Sequence, residues 1–217
     1  MKRSKNNRGV FQVSNFIKVV MAVAIIASAV SAQRQNFMSE NNLQNWGSLS
    51  GAGGEVSDLS VHMTEVKWKV SIPQSDTANE IYGYADVIVG GFGEGAVNKD
   101  TKINITYSSN ENLYFALEDG DGTGASYFAF LPAGKNVSRT LKVGNWSKEF
   151  WTEKYDRKSI DFRQDWWIKD RPEQTYDLDY SKINGFVFSI WSDDNKPIKA
   201  NVSIKKFDVE NLAKSPM

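Results

Sequence analysis

The sequence predicts an all-β protein, specifically an antiparallel β-sandwich. Residues 183–191 read INGFVFSIW and alternate their side chains at the period of two that a strand requires. Turn-forming residues at 192–197 separate this run from a second alternating run at 200–204. Two strands that are apolar on one face need a second sheet to cover that face. No helical period of any length follows residue 32, so helices are not expected to supply the cover.

The remaining strands show the same alternation between turn-forming residues. Residues 55–72 contain a one-residue slip at 64–66, which indicates either a β-bulge or two separate strands. Residues 81–89 form another candidate strand, which ends in a glycine-rich loop. The centre of the chain has short strands at about ten-residue intervals, as in the meander of a sandwich or barrel. These central segments are residues 103–107, 113–117, 127–131 and 137–143.

The first 32 residues differ in composition from the rest and are predicted to be a signal peptide. Basic residues precede an apolar run at 19–30, which ends in the small pair Ser31-Ala32. The run is shorter than the roughly 20 apolar residues that a membrane-spanning helix needs. We therefore expect cleavage after Ala32, no transmembrane segment in the mature chain, and a secreted or extracytoplasmic protein in the periplasm or at the cell surface.

The mature chain is predicted to hold one domain. Residues 33–54 are polar and rich in glycine and are expected to be a flexible start, pinned where Trp46 docks. Residues 55–211 are expected to form the β-sandwich, and residues 212–217 a C-terminal tail. A chain of 217 residues can bury one substantial core, and all-β domains of this size are commonly single.

Charge and cysteine content exclude several classes of function. The chain has 26 basic and 26 acidic residues, and the leader removes five basic and no acidic ones, which leaves 21 against 26, a net charge of −5. Nucleic acid is therefore not expected as a partner, since phosphate backbones are bound by clustered Lys and Arg. The absence of cysteine excludes disulfides and thiolate metal sites.

The sequence contains residues for two catalytic arrangements. His62 is the only histidine, so a triad would have to use it, yet its place on an early strand is typical of an ordinary surface residue. Glycoside hydrolysis requires two carboxylates across a cleft, and Glu118 with Asp165 is a conceivable pair. Acidic side chains on the wet face of an antiparallel sheet are also commonplace, so both interpretations of Glu118 stay open.

The aromatic residues are the stronger indication of function. Five of the seven tryptophans lie between residues 146 and 191. In 183–191, Phe186, Phe188 and Ile190 complete one apolar face, which places Trp191 on the opposite side of the strand. The same parity separates further residues from the core on their own strands. They are Tyr114 and Glu118 on one strand, and Arg163, Asp165 and Trp167 on another.

A surface of aromatic, acidic and basic side chains suits a sugar. A pyranose ring offers an apolar face that stacks on indole or phenol, and its hydroxyls need charged or amide partners. We expect Trp191, Trp167 and Tyr114 to stack on sugar rings, while the charged residues contact hydroxyls. An alternative is that the aromatics cover a second small core under the loops.

The order of the segments also resembles a known family. Strands at 102–107, 112–119 and 126–131, an aromatic loop, INGFVFSIW and a closing NVSIKKFDVEN are similar to carbohydrate-binding modules with a galactose-binding-like jelly-roll fold. The resemblance covers about residues 55–211. It implies a jelly roll that binds glycans on a sheet face or at loop tips. It also implies a structural calcium near the chain ends, with Asp208 and a residue near Glu55 or Asp58 around the ion.

Together these observations predict a secreted protein that binds a polysaccharide or oligosaccharide without altering it and requires no cofactor. Such modules usually accompany a catalytic domain, so association with secreted glycan-degrading enzymes is implied, as is a free-standing glycan binder. Two other functions remain open. One is a small glycoside hydrolase or polysaccharide lyase that uses paired carboxylates, and the other is a structural or adhesion component of the cell envelope.

Overall fold

A computed structural model gives the fold of the chain from residue 33 onward, which forms a compact unit of its own. The described residues are 33–51, 53–74, 83–90, 92–93, 95–119, 127–150, 160–164, 177–192 and 196–213. Their strands are β1 (Gln33–Asn36), β2 (Trp46–Gly51), β3 (Glu55–His62), β4 (Glu65–Ile72), β5 (Tyr84–Val89), β6 (Lys102–Ser109), β7 (Leu113–Asp119), β8 (Tyr127–Leu131), β9 (Gly134–Lys142), β10 (Trp146–Phe150), β11 (Phe162–Gln164), β12 (Ile183–Trp191) and β13 (Ile198–Leu212). Two short 3₁₀ helices, η1 (Glu40–Asn45) and η2 (Tyr180–Lys182), complete the described elements.

The strands form two sheets, as the sequence predicts. Sheet A has the order β3-β4-β13-β6-β9, and β1 also pairs with β13. Sheet B has the order β10-β11-β8-β7-β12-β5-β2. Neighbouring strands are antiparallel except β10 and β11, which run parallel. The antiparallel β-sandwich prediction is therefore confirmed, and the parallel pair is an addition at one edge of sheet B.

The core lies between the two sheets and is built largely of phenylalanine. Phe207 of sheet A meets Phe115, Phe186 and Phe188 of sheet B edge to face, with ring centroids 5.8, 5.6 and 5.4 Å apart. All four side chains are 1% exposed or less. Aromatic pairs in this geometry contribute about 0.5–1.5 kcal/mol each beyond their buried area. The cluster thus joins the two sheets without any disulfide.

The alternation in the last two strands sets which side of each sheet faces this core. On β12, Phe186, Phe188 and Ile190 are buried, whereas Val187 and Trp191 are half-buried on the other side. The predicted faces of this strand are confirmed. The slip at residues 64–66 proves to be a turn between two strands, β3 and β4, which pair from His62 and Glu65 onward.

The regular structure begins earlier in the chain than the sequence predicts. Residues 33–54 were expected to be a flexible start, but β1 pairs with β13 and β2 pairs with β5. Trp46 explains the difference. Its indole is 8% exposed, stacks on Phe188 at 6.0 Å, and donates a hydrogen bond from Nε1 to the carbonyl oxygen of Phe37 at 2.9 Å. The anchor predicted at Trp46 therefore holds two strands in the sandwich.

Candidate functional site

The side of sheet B that points away from the core carries the candidate site. Residues opposite each other in an antiparallel pair share one side of the sheet. Tyr114 on β7 lies opposite Ser189 on β12, which in turn lies opposite Asp86 on β5. Trp191 lies opposite Tyr84, again across β12 and β5. We call this surface the outer face of sheet B, defined by Tyr84, Asp86, Tyr114, Glu118, Ser189 and Trp191.

A stacked aromatic pair is the central feature of the outer face. The rings of Tyr114 and Trp191 lie 3.7 Å apart between centroids, with an angle of 13° between their planes. Phe128 meets Trp191 edge to face at 5.0 Å, and Phe130 meets Tyr114 edge to face at 5.7 Å. Both phenylalanines are 8% exposed, whereas Tyr114 and Trp191 remain half-buried. The pair is thus held in place by buried neighbours while part of each ring meets solvent.

A third aromatic residue extends the outer face toward the edge strand β2. The ring of Tyr84 lies over Gly51, where an added Cβ would come within 2.6 Å of the phenol. Only a residue without a side chain leaves that space, so Gly51 lets the Tyr84 ring lie flat across the strand. Tyr84 was not among the residues predicted for the site.

Asp86 supplies a carboxyl group beside the aromatic pair. The hydroxyl of Ser189 donates a hydrogen bond to Oδ1 of Asp86. Burial raises the pKa of Asp86 from 3.8 to about 6, because a desolvated carboxylate is disfavoured. The Ser189 hydrogen bond partly opposes this rise, and the negative charge of Glu118 adds to it. Asp86 therefore changes charge within a mildly acidic pH range.

Glu118 contributes a second carboxyl group further along the sheet. It is half-buried and lies opposite Gly185 on β12. A Cβ at Gly185 would stand 2.5 Å from Oε2 of Glu118, so the carboxylate lies directly over the glycine. A larger residue at position 185 would displace Glu118 from its place over β12.

The structure places some of the predicted site residues on the outer face of sheet B and leaves others outside the described residues. Trp191, Tyr114 and Glu118 lie on the predicted side of sheet B. Tyr114 and Trp191 stack on each other, whereas Glu118 lies opposite Gly185, six residues along β12 from Trp191. Arg163 also lies on that side, opposite Phe128, but the residue is 3% exposed, so its contact with a sugar hydroxyl stays a prediction. Trp167 and Asp165 lie outside the described residues.

Two residues of the outer face, Tyr84 and Asp86, were not predicted from the sequence. A signal for them existed. On β5, Ala85, Val87 and Val89 are buried, so the alternation in YADVIV already places Tyr84 and Asp86 on the opposite side. The alternation could not predict which strand lies beside β5, since its partner β12 follows about a hundred residues later in the chain.

The calcium implied by the family resemblance is not supported in the form expected. Asp208 pairs with Arg34 and lies 3.6 Å from the Lys206 ammonium. Asp58 is placed by its ion-pair partner Lys69, which lies opposite Asn201 on β13. Asp208 lies seven positions after Asn201 on β13, or about 23 Å at about 3.3 Å per residue.

Calcium–oxygen distances are about 2.3–2.6 Å, so Asp58 and Asp208 cannot share one ion. Glu55 lies still further away, because its partner Ser71 lies opposite Lys199. The expectation that either residue completes a site with Asp208 is wrong. Among the described residues, no group of three or more His, Cys, Asp or Glu side chains could hold a metal ion. A calcium ion at Asp208 with other ligands stays a prediction.

His62 is exposed on β3, as expected of a surface residue, and pairs in register with Glu65.

Within the described part of the chain, no helix is both long enough and apolar enough to cross a membrane.

Comparisons with known proteins agree with the sandwich. No family model matches the chain, and no curated protein matches it in sequence. A family 11 carbohydrate-binding module from Clostridium thermocellum, solved with a β-1,3-1,4-mixed-linked tetrasaccharide, superposes with a TM-score of 0.50 at 18% identity. That match covers 87% of this chain and 100% of the module.

Two further solved structures are similar at lower scores. The family 11 module of a cellulosomal cellulase of Clostridium thermocellum gives a TM-score of 0.48 at 18% identity, over 88% of this chain and 100% of that one. A family 29 carbohydrate-binding module gives 0.42 at 11% identity, over 84% of this chain and 90% of that one. The first superposition, at a TM-score of 0.50, shows that the chain has the two-sheet β-sandwich fold of that carbohydrate-binding module.

Proposed function

We propose that this protein binds a polysaccharide on the outer face of sheet B without altering it. The observation that carries the proposal is the stacked pair of Tyr114 and Trp191, which is half-buried on a face otherwise supported by buried rings. Aromatic rings fixed in this way lose little conformational entropy when a flat ligand docks on them. A sugar ring presents such a flat apolar face, and Tyr84 extends the platform toward β2.

The polar groups of the outer face complement the hydroxyls of a sugar. Asp86 and Glu118 are acceptors, and Ser189 lies between the strands that carry them. Hydrogen bonds to an ionised carboxylate are roughly twice as strong as neutral ones, which favours polyhydroxylated ligands without negative charge. Trp167, Asp165 and Arg163 remain proposed members of the same face.

The negative charge on this face also restricts the class of ligand that it can bind. Two carboxylates would repel an anionic polymer, so we expect a neutral glycan. The tetrasaccharide bound by the family 11 module suggests mixed-linkage β-glucan as the first probe. Insoluble neutral polysaccharides, such as cellulose, form the second set.

The test is retention of the purified protein on these glycans, measured by affinity electrophoresis and pull-down. Trp191→Ala should weaken binding by about tenfold or more, which corresponds to about 1.4 kcal/mol. Met63→Ala is the matched control, because Met63 is 59% exposed in the turn between β3 and β4 of the other sheet. Unchanged thermal unfolding of the Trp191→Ala protein shows that the fold survives. Equal retention of both variants would remove Trp191 from the site.

Glycoside hydrolysis is the second candidate, because one carboxyl group on the face has a pKa suited to a general acid. Burial raises the pKa of Asp86 to about 6, and Glu118 lies on the same side of the sheet. Catalysis would release free sugar from the glycan, and Asp86→Asn would abolish the release. If the wild type and Asp86→Asn both bind the glycan and neither releases sugar, hydrolysis is excluded and binding is the function that remains.

We further propose that the mature chain acts outside the cytoplasm, alongside secreted enzymes that degrade the same glycan. The basic and apolar leader at residues 1–32 supports export. Sequencing the N-terminus of the protein recovered outside the cell tests this, with Gln33 as the expected first residue. A protein that retained its leader would contradict the proposed cleavage.

A further inference from the structure

Sheet A carries a groove of about 660 Å³ on the side that faces away from the core. The alternation of β4 places Lys67 and Lys69 on that side, because Val66, Trp68 and Val70 between and beside them are buried. The groove continues across β13 and β6 to the start of β9, where Lys135 lines its far end. It is on the opposite surface of the sandwich from the face proposed above to bind neutral glycan.

The charge of this groove is positive. Its charged lining residues are Lys67, Lys69, Lys135 and Asp58. Asp58 forms an ion pair with Lys69, in which the carboxylate oxygen lies 2.8 Å from the ammonium nitrogen. Within the described part of the chain, neither Lys67 nor Lys135 has an ion-pair partner. Two exposed ammonium groups therefore face the groove on a protein whose mature chain is acidic overall.

The wall of the groove is fixed by a side-chain bridge. Asn110, in the turn after β6, donates from Nδ2 to the carbonyl oxygen of Lys199 at 3.0 Å and accepts from the backbone N–H of Asn201 at 2.6 Å. Both ends of this amide are thus used to tie the turn to β13. Ser203 on the floor donates to Oε1 of Glu65 on β4 at 2.7 Å, which joins β13 to β4 through their side chains. The groove is held in shape before any ligand arrives.

The spacing of the lysines indicates a polymer. Three strand intervals separate β4 from β9 in sheet A, which is about 14 Å at 4.8 Å per interval. This is the separation of the two strands, so a single small anion contacts Lys67 and Lys135 together only if both side chains bend toward it. A chain that carries anionic groups at intervals can contact both, and it gains from each because every neutralised group releases counterions.

The lining favours a saccharide over a nucleic acid. Single-stranded nucleic acids are held by exposed aromatic side chains on which bases stack. The aromatic residue that lines this groove, Trp68, is 2% exposed and packs against Phe188 in the core. The lining also includes serine hydroxyls and the amides of Asn110 and the exposed Asn201, beside apolar surface that includes Val202. Hydroxyls and amides match the hydroxyls of sugars, and apolar surface suits the carbon face of a sugar ring.

We infer that this groove is a second binding site, for a polysaccharide that carries carboxylate or sulfate groups. It is independent of the face on sheet B, and the inference does not rest on the function proposed for that face. The two surfaces have opposite charge, so one module could hold a neutral and an anionic glycan at the same time. A protein with this arrangement would link two polymers of a mixed matrix.

The test uses the full mature chain with two probes, polygalacturonate for carboxylates and dextran sulfate for sulfates, and unmodified dextran as the neutral reference. Binding is measured by affinity electrophoresis and calorimetry at ionic strengths of about 0.01 M and about 0.15 M, where the Debye length falls from about 30 to about 8 Å. The Lys67→Gln, Lys135→Gln double variant should lose about tenfold or more in affinity for the anionic polymer. The polymer that binds more tightly identifies the anionic group.

The matched control is Lys102→Gln with Lys142→Gln, which removes the same charge from the other end of β6 and β9. Lys102 and Lys142 lie opposite each other, about 20 Å along the strands from the groove. Trp191→Ala must leave anionic binding unchanged, which separates this site from the face on sheet B. Equal losses in both lysine pairs, no binding of either polymer, or tighter binding of a single-stranded oligonucleotide would each overturn the proposal.

Discussion

Asp86 offers the sharpest test of the physical description of the outer face of sheet B. Burial raises the pKa of this carboxyl from 3.8 to about 6, against the opposing hydrogen bond from Ser189. The folded protein therefore holds a proton on Asp86 at pH values where the unfolded chain has already released it. Stability from this group is fully present below the ordinary pKa and is lost as pH rises through about 6.

The size of the effect follows from the two pKa values. The difference between 3.8 and about 6 corresponds to about 3 kcal/mol, since one pKa unit is worth about 1.4 kcal/mol. Asparagine has nearly the same shape and can still accept the Ser189 hydrogen bond, but it carries no charge. Asp86→Asn should therefore be more stable than the wild type by about 3 kcal/mol at about pH 7.5, and about equal at about pH 4. In a domain of this size that is about 6–12 °C in melting temperature.

The assay is urea unfolding at several pH values, followed by tryptophan fluorescence, with the free energies of the two proteins subtracted. Asp58→Asn is the control. Lys69 lowers the pKa of Asp58 through a hydrogen bond and its charge, so stability from Asp58 is present above the ordinary pKa and lost only below it. The Asp58→Asn difference should be flat over the same range. A flat difference for Asp86→Asn as well would refute the reasoning about burial.

Two further predictions concern packing. Gly54→Ala should destabilise the fold by about 1–3 kcal/mol, because the new Cβ would lie 2.1 Å from the backbone oxygen of Tyr84. Gly47→Ala is the control, because its Cβ meets open space and should change the unfolding free energy by less than about 0.5 kcal/mol. Equal melting temperatures of the two variants would contradict this contact. Trp46→Phe should lower the free energy of unfolding by about 1–3 kcal/mol, because it leaves the buried carbonyl oxygen of Phe37 without its donor. A urea midpoint equal to that of the wild type would contradict this and show that water replaces the indole.

Several features of the fold could be predicted because they depend only on neighbours in the chain. The alternation of β12 placed Phe186 and Phe188 inside and Trp191 outside, since successive side chains of a strand point to opposite faces. The same rule placed Tyr114 and Glu118 on the outer side of β7. These assignments needed no knowledge of which strand lies beside which.

Other features could not be predicted in this way. Residues 33–51 are rich in polar residues and glycine, so their sequence gives little sign of a strand, yet β2 is held by pairing with β5 and by the burial of Trp46. The pKa of Asp86 depends on Ser189, which is more than a hundred residues away in the chain. The family resemblance also implied that Asp208 and a residue near Glu55 or Asp58 share an ion, but the register of β4 and β13 separates these positions.

By itself the sequence determined the fold class and the side of each strand that is buried, because both follow from the two-residue repeat of hydrophobic side chains. Tertiary structure alone decided that Tyr114 and Trp191 stack, that Asp86 and Glu118 share their face, and that three lysines line a groove on the opposite sheet. The physical reason is that strand order and register are set by contacts between distant parts of the chain. A pattern within one strand contains no information about its neighbour.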